Sequence, residues 1–198
     1  MNANSSKAKR LVYTFNLILF LLLSLSLSAQ AHKVDDIELK ETIKLSGSNL
    51  LLNGAGIRSK FFINLYVAAL YLSHKTDNAQ AIVEADEPMI IQIHVTSNLI
   101  SSETLTRGTK EGFTKSTGNK TEAIQTQIDD FLDAFKDPIK VGDIFEIVYL
   151  PGKGVTVIKN RHIVKKLATD LRFKSALFGI WLSDNPAQTS LKNKLLGN

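Results

Sequence analysis

The sequence predicts an α+β domain, a large antiparallel sheet with helices packed on one face, and three observations predict it. Short runs rich in Ile, Val and aromatic residues, bounded by Gly, Asn and Pro, fill residues 37–95 and 143–166. Helical periods occupy 101–135 and 170–196. The resulting order is strands, helices, strands, helices, which is not the strict alternation of a parallel α/β fold.

Ile37 to Leu45 alternates apolar and polar residues with a slip at Glu41-Thr42, as a half-buried strand does. Ser46-Gly47-Ser48 reads as a turn, after which Asn49 to Leu52 is extended. Asn53-Gly54 between apolar runs is a hairpin signal, because such residues adopt positive φ at little cost. Phe61 to Leu72 is apolar on both faces and reads as a central strand, a buried helix being the alternative. Asn78 to Ala85 is a short helix, and Met89 to Val95 is a second strand with Gln92 and His94 on one face.

Ser101 caps the next helix, with Glu103 in its first turn. Gly108 and Gly112 inside that helix cost stability, so they mark close packing. Ile124, Ile128, Phe131, Leu132 and Phe135 give one amphipathic helix that Pro138 stops. Asp143 to Ile158 is a hairpin turning at Pro151-Gly152-Lys153-Gly154, and Asn160-Arg161 turns into a further strand from His162 to Lys166. Asp170 caps a helix with an apolar stripe over Phe173, Ala176, Leu177, Ile180 and Trp181. Asn185-Pro186 reads as a cap followed by a proline at the first position of the last helix, which Gly197 ends.

The chain has 198 residues, 44% of them hydrophobic and 22% charged, with no cysteine. That excludes disulfide frameworks, thiolate metal sites and cysteine nucleophiles. Residues 1–31 carry Lys7, Lys9 and Arg10 but no acid, then an apolar core around Leu17 to Leu23, then Ser28-Ala29-Gln30-Ala31. A basic start, a short apolar core and small residues in an A-x-A pattern make a secretory signal peptide. The rival is a membrane anchor, but a spanning helix needs about 20 mainly apolar residues and serines dilute this one. Cleavage after Ala31 is expected, leaving residues 32–198 as one domain with no membrane span. The three bases depart with the leader, so the formal charge falls from +5 to +2. No basic stripe with interleaved aromatics remains to bind nucleic acid. Export without any cysteine points to the periplasm of a bacterial envelope.

Several chemistries are set aside on spacing. His32, His74, His94 and His162 show no H-x-x-x-H or H-E-x-x-H pattern for a metal. Gly54-Ala55-Gly56 lacks the full dinucleotide fingerprint, Gly152-Lys153-Gly154 joins two strands, and no G-x-S-x-G elbow is present.

Arg58 stands out, because it precedes the most apolar segment of the mature chain, where a guanidinium is costly unless it meets an anion. Tyr66 lies inside that segment, with Asn64 two residues earlier on the same face. A cationic fork and a phenol in an apolar cleft can hold a carboxylate. The plainer reading, preferred on spacing alone, leaves Arg58 in solvent at a strand end and Tyr66 as a packing residue. Along one straight strand the two lie about 26 Å apart. A shared site therefore needs a turn, bulge or bend between Ile57 and Asn64, expected at Ser59-Lys60.

Leu52-Asn53-Gly54-Ala55-Gly56-Ile57-Arg58, Lys60-Phe61-Phe62, Leu65 to Leu72, Tyr149 to Gly154 and Ala176 to Ala187 together resemble the secreted bacterial branch of the chalcone isomerase-like proteins. The resemblance covers roughly residues 47–197. It implies an open-faced β-sandwich, a large antiparallel sheet backed by helices with a ligand cleft between. It also implies either of two activities. Plant enzymes of the family close chalcones into flavanones, using an arginine, a strand threonine and a helical tyrosine–asparagine pair, with no redox cofactor or metal. Non-catalytic relatives bind fatty acids, with the arginine and a tyrosine on the carboxylate. By position the arginine matches Arg58 and the threonine is replaced by Tyr66. The helical pair falls near Ser101 and Gly108, so both groups are missing.

The resemblance therefore ranks a non-catalytic binder of a fatty acid or similar amphiphile first, with Arg58, Tyr66 and Asn64 as the ligand-binding set. A non-catalytic envelope interaction protein ranks second. An isomerase (intramolecular lyase) acting on a chalcone-like enone, with Arg58 as its catalytic residue, ranks third. No cofactor is expected in any of the three.

Overall fold

The computed structural model describes residues 32–198; the expected signal peptide lies outside them. Seven strands form one antiparallel meander in chain order: β3 (Thr42–Leu45), β4 (Ser48–Lys60), β5 (Ile63–Leu72), β6 (Met89–Val95), β7 (Ile144–Leu150), β8 (Gly154–Lys159) and β9 (His162–Leu167). A separate hairpin, β1 (His32–Val34) with β2 (Ile37–Leu39), precedes it. Among the described residues five α-helices accompany the sheet: α1 (Ala79–Glu84), α2 (Ser102–Ser116), α3 (Gln125–Leu132), α4 (Leu171–Leu182) and α5 (Thr189–Leu195). The fold class is the expected one, a large antiparallel sheet with helices packed against it.

The period-2 pattern of each strand sorts its side chains between two cores. On the inner face Tyr66, Ala68, Leu70, Ile91, Ile93, Phe145 and Ile147 pack against the helices. On the outer face Val67, Ala69, Tyr71, Ile90 and Val148 pack with Leu39, Leu50 and Leu52, and the β1–β2 hairpin adds Val34 and Ile37. The slip at Glu41-Thr42 is thus a change of partner, since β2 pairs with β1 whereas β3 pairs with β4. α4 is buried nearly all round, from Phe173 to Leu182, so its pattern is that of a central helix and not of a single stripe. Asp170 caps it by accepting from the Phe173 N–H at 3.0 Å. Ser101 caps α2 in a reciprocal box with Thr104.

Three local expectations are corrected. Asn53-Gly54 is not a hairpin; β4 runs straight through it with only a register shift between Leu52 and Gly54. Both residues serve the last helix instead. The Asn53 amide donates to Leu195 O (2.8 Å) and Thr76 O (3.0 Å), and a Cβ on Gly54 would meet Lys194 O at 2.2 Å. Pro186 does not open the last helix, which begins at Thr189 with Gln188 at its cap. The helix expected through Phe135 is broken, with 3₁₀ turns at Glu122–Ile124 and Asp133–Phe135 flanking α3.

The chain reversal needed before Tyr66 exists, two residues later than expected. Lys60 pairs with Ile63 across a two-residue turn formed by Phe61 and Phe62, and a bulge lies between Arg58 and Ser59. Phe61 and Phe62 have φ of +50° and +66°. Those values define the turn type that normally selects Asn-Gly, which is why no sequence signal marked it.

Candidate functional site: an apolar cavity beside Arg58

The turn folds β4 back on β5, so Arg58 and Tyr66 are direct cross-strand partners. Such pairs hold their Cβ atoms about 5 Å apart, where a straight strand would have put them about 26 Å apart. Both point to the inner face, and both line a cavity of about 240 Å³ between the sheet and helices α2 and α4. That volume is close to the lower end of small-molecule sites, roughly 300–1,000 Å³.

The cavity wall is mostly apolar. Ile93, Ile147 and Tyr66 supply the sheet side; Phe131 of α3 and Phe135 of the 3₁₀ turn after it add two rings; Leu105, Ile180 and Trp181 supply the helix side. Two glycines of α2 act differently there. Gly112 lets α2 seat on α4, since a Cβ would come within 2.7 Å of Ile180 Cγ2. Gly108 has nothing within 4 Å of where its Cβ would stand. The sequence marked both as packing positions; only Gly112 is one, and Gly108 leaves space at the cavity.

Arg58 is half-buried. Its Nη1 donates to Ser59 O (2.6 Å) and to Gln188 Oε1 (2.9 Å). Gln188 Oε1 also accepts from the Ser59 N–H at 2.9 Å, and its Nε2 donates to Ser190 Oγ at 2.7 Å. Gln188 therefore fixes the guanidinium from the start of α5. Its role had no signal in the sequence, because it depends on a loop returning 130 residues after Arg58. Among the described residues no carboxylate lies within ion-pair distance of Arg58. Both of these bonds use the same nitrogen; the guanidinium also acts on the Tyr66 hydroxyl as a hydrogen-bond partner, and of its five N–H donors the others are open to a ligand.

Tyr66 is buried, and its hydroxyl accepts from Trp181 Nε1 at 3.1 Å. Burial raises the phenol above its ordinary value, while the Trp181 bond, the charge of Arg58 and a hydrogen bond with Arg58 act the other way. The net rise keeps the phenol protonated, with its own proton available to an acceptor in the cavity. A carboxylate arriving there would meet a planar cation and an O–H donor whose own acceptor demand is already met.

Asn64 is placed differently. It is exposed, accepts from Ser59 Oγ at 3.0 Å, and lies outside the residues that line the cavity. Ser101 spends its hydroxyl on the α2 cap, accepting from the Thr104 N–H at 3.2 Å, and Gly108 has no side chain to offer. His94 faces away from the cavity toward Gln92, at 3.2 Å, and burial lowers its pKa. Among the described residues no three His, Asp or Glu side chains are grouped to hold a metal.

No curated protein matches the sequence. A crystal structure of a fatty-acid binding protein of Arabidopsis thaliana superposes with a TM-score of 0.66, covering 84% of this chain and 96% of that one at 14% identity. At that identity the likeness is one of fold. The family model for chalcone isomerase-like proteins matches residues 31–197, nearly everything after the leader-like segment, and on that match the chain belongs to the chalcone isomerase-like family.

Proposed function

We propose that this is an exported, non-catalytic carrier of a fatty acid or a similar single-chain amphiphile, its headgroup on Arg58 and Tyr66 and its tail toward Phe131 and Phe135. One observation carries the reading: a half-buried guanidinium without a carboxylate partner stands at the side of an apolar cavity. Such a cation is expensive unless an anion completes it. The fatty-acid binding protein that shares the fold supports a small lipid ligand. The spent hydroxyl of Ser101 and the missing side chain at Gly108 argue against cyclisation, since nothing there would orient a ketone and a bridging water. Export is supported by the leader-like residues 1–31 and by the absence of cysteine.

Titration with saturated fatty acids of increasing length tests the proposal. Each methylene buried contributes about 0.8 kcal/mol, so Kd should fall about fourfold per carbon until the cavity is full. Native mass spectrometry of protein purified from the envelope should show a retained acid. Flat affinities across the series, or an empty protein with no isotherm, would remove the reading.

A further inference from the structure

Phe62 is fully exposed and Phe61 is 82% exposed at the tip of the β4–β5 turn. Both have positive φ, which bulky residues rarely adopt. The turn thus accepts backbone strain in order to present two aromatic rings to water, where Asn-Gly would relieve both costs. Ile63 and Leu99 extend the apolar tip, and Phe61, Ile63 and Leu99 also line the cavity beneath it. The charged residues of the same lining are Arg58, Lys60, Arg107, Lys115 and Glu111; Arg58 is half-buried and Arg107 pairs with Glu103 at 3.2 Å, which leaves exposed Lys60 and Lys115 as the basic collar. Lys60 Nζ sits 5.7 Å from the Phe61 ring centroid, so base and ring project together.

Aromatic rings within a basic collar match one kind of surface. Rings settle at the headgroup level of a bilayer, and Lys and Arg around them meet anionic phosphates. No described helix is long and apolar enough to cross a membrane, so contact would be at the surface.

We propose that the Phe61-Phe62 turn docks the protein on an anionic phospholipid surface, with the cavity opening toward the leaflet. Delivery of an acyl ligand between cavity and leaflet rests on the carrier reading above; the docking itself rests on the exposed tip and its collar.

Phe62 is outside the cavity lining, so Phe62→Gly separates the two. Glycine suits the left-handed position, and the variant should melt at or above the temperature of the original protein. The purified protein should co-sediment with vesicles of phosphatidylglycerol and phosphatidylethanolamine, more weakly with phosphatidylcholine alone, and less as salt rises. Phe62→Gly should reduce that partitioning about tenfold while leaving the Kd for dodecanoate unchanged. Three results would overturn docking: no vesicle binding by the original protein, equal binding by Phe62→Gly, or a dimer of the original protein that Phe62→Gly makes monomeric. Vesicle binding without any dodecanoate isotherm would instead leave docking standing and remove the carrier reading.

Discussion

Replacing Arg58 by Met is the perturbation that most directly tests the cavity's chemistry. Methionine keeps an apolar stem of similar reach, so the wall of the cavity is preserved and only the guanidinium is lost. The fold loses two hydrogen bonds from Nη1, to Ser59 O and Gln188 Oε1. Gln188 Oε1 still accepts from the Ser59 N–H, and Ser59 O loses a donor only at a half-buried position, so stability should fall by about 1 kcal/mol at most. Binding is another matter. A hydrogen bond to a charged group is worth about 1.5–3 kcal/mol, and Arg58 is half-buried, which places the loss in the lower part of that range. Affinity for dodecanoate should fall about 10- to 30-fold. Dodecanol carries the same tail but no charge, and should lose about fivefold at most.

The informative quantity is therefore the ratio of acid to alcohol affinity, measured by calorimetry or by displacement of a fluorescent fatty acid. Gln188→Leu adds a second arm. It keeps the charge but releases the guanidinium from its anchor, so the acid should weaken by less than in Arg58→Met and the two effects should not add. If acid and alcohol weaken equally in Arg58→Met, or if neither weakens, then Arg58 does not meet the headgroup and the reasoning about its unspent donors is wrong.

Three further predictions follow from other parts of the molecule. Gly54→Ala drives a methyl into Lys194 O and Leu195 O; the cost of such overpacking is about 1–3 kcal/mol, read as a fall in Tm of about 3–10 °C. Lys174 is wholly buried and donates to Ile82 O (2.5 Å), Val83 O (3.1 Å) and Ala85 O (2.8 Å), closing the end of α1, while burial pushes its ammonium down to about 8. Because the folded value lies below the unfolded one of 10.5, the unfolded chain holds more protons between them, so stability should rise from pH 8 toward 10.5. Lys174→Met should flatten that rise and lower Tm at neutral pH by removing the side-chain donor from Ile82 O and Ala85 O, Val83 O keeping Ser175 Oγ at 2.7 Å. For an exported protein, N-terminal sequencing of the envelope form should begin at His32; an intact Met1 would refute cleavage after Ala31.

Most of the sheet was legible because strand periodicity is a local signal. Ile91, Ile93 and Val95 against Gln92 and His94 give the two faces of β6 without further information, and Asp170 and Ser101 announce their helices through cap chemistry. The failures depended on distant partners. Asn53-Gly54 has the chemistry of a turn, yet the arriving α5 recruits the amide and fills the space above the glycine. Gln188 reads as a polar loop residue until β4 is placed beside it. Pairing Arg58 with Tyr66 required a reversal that spacing could demand but not locate, since Phe-Phe carries no turn signature.

These departures from local rules are not scattered evenly. Phe61 at a left-handed position, a glycine inside α2 with nothing packed on it, and an arginine without an acid all border the same cavity, with Phe62 beside Phe61 just outside its lining. Each costs stability taken alone: strain and apolar hydration at the turn, helix propensity at Gly108, desolvation at Arg58. A chain selected only to fold has a cheaper residue for each place, such as Asn-Gly, Ala and Gln. Gly112, by contrast, is a helical glycine that Ile180 explains fully. Other costs lie elsewhere, such as Arg161 at φ +70° and the buried Tyr71 hydroxyl without a hydrogen-bond partner on the outer face, but those at Phe61, Gly108 and Arg58 meet at one cavity. Natural sequences keep such inconsistencies mainly where function requires them, and their convergence favours a working binding cavity over a fold retained as a scaffold.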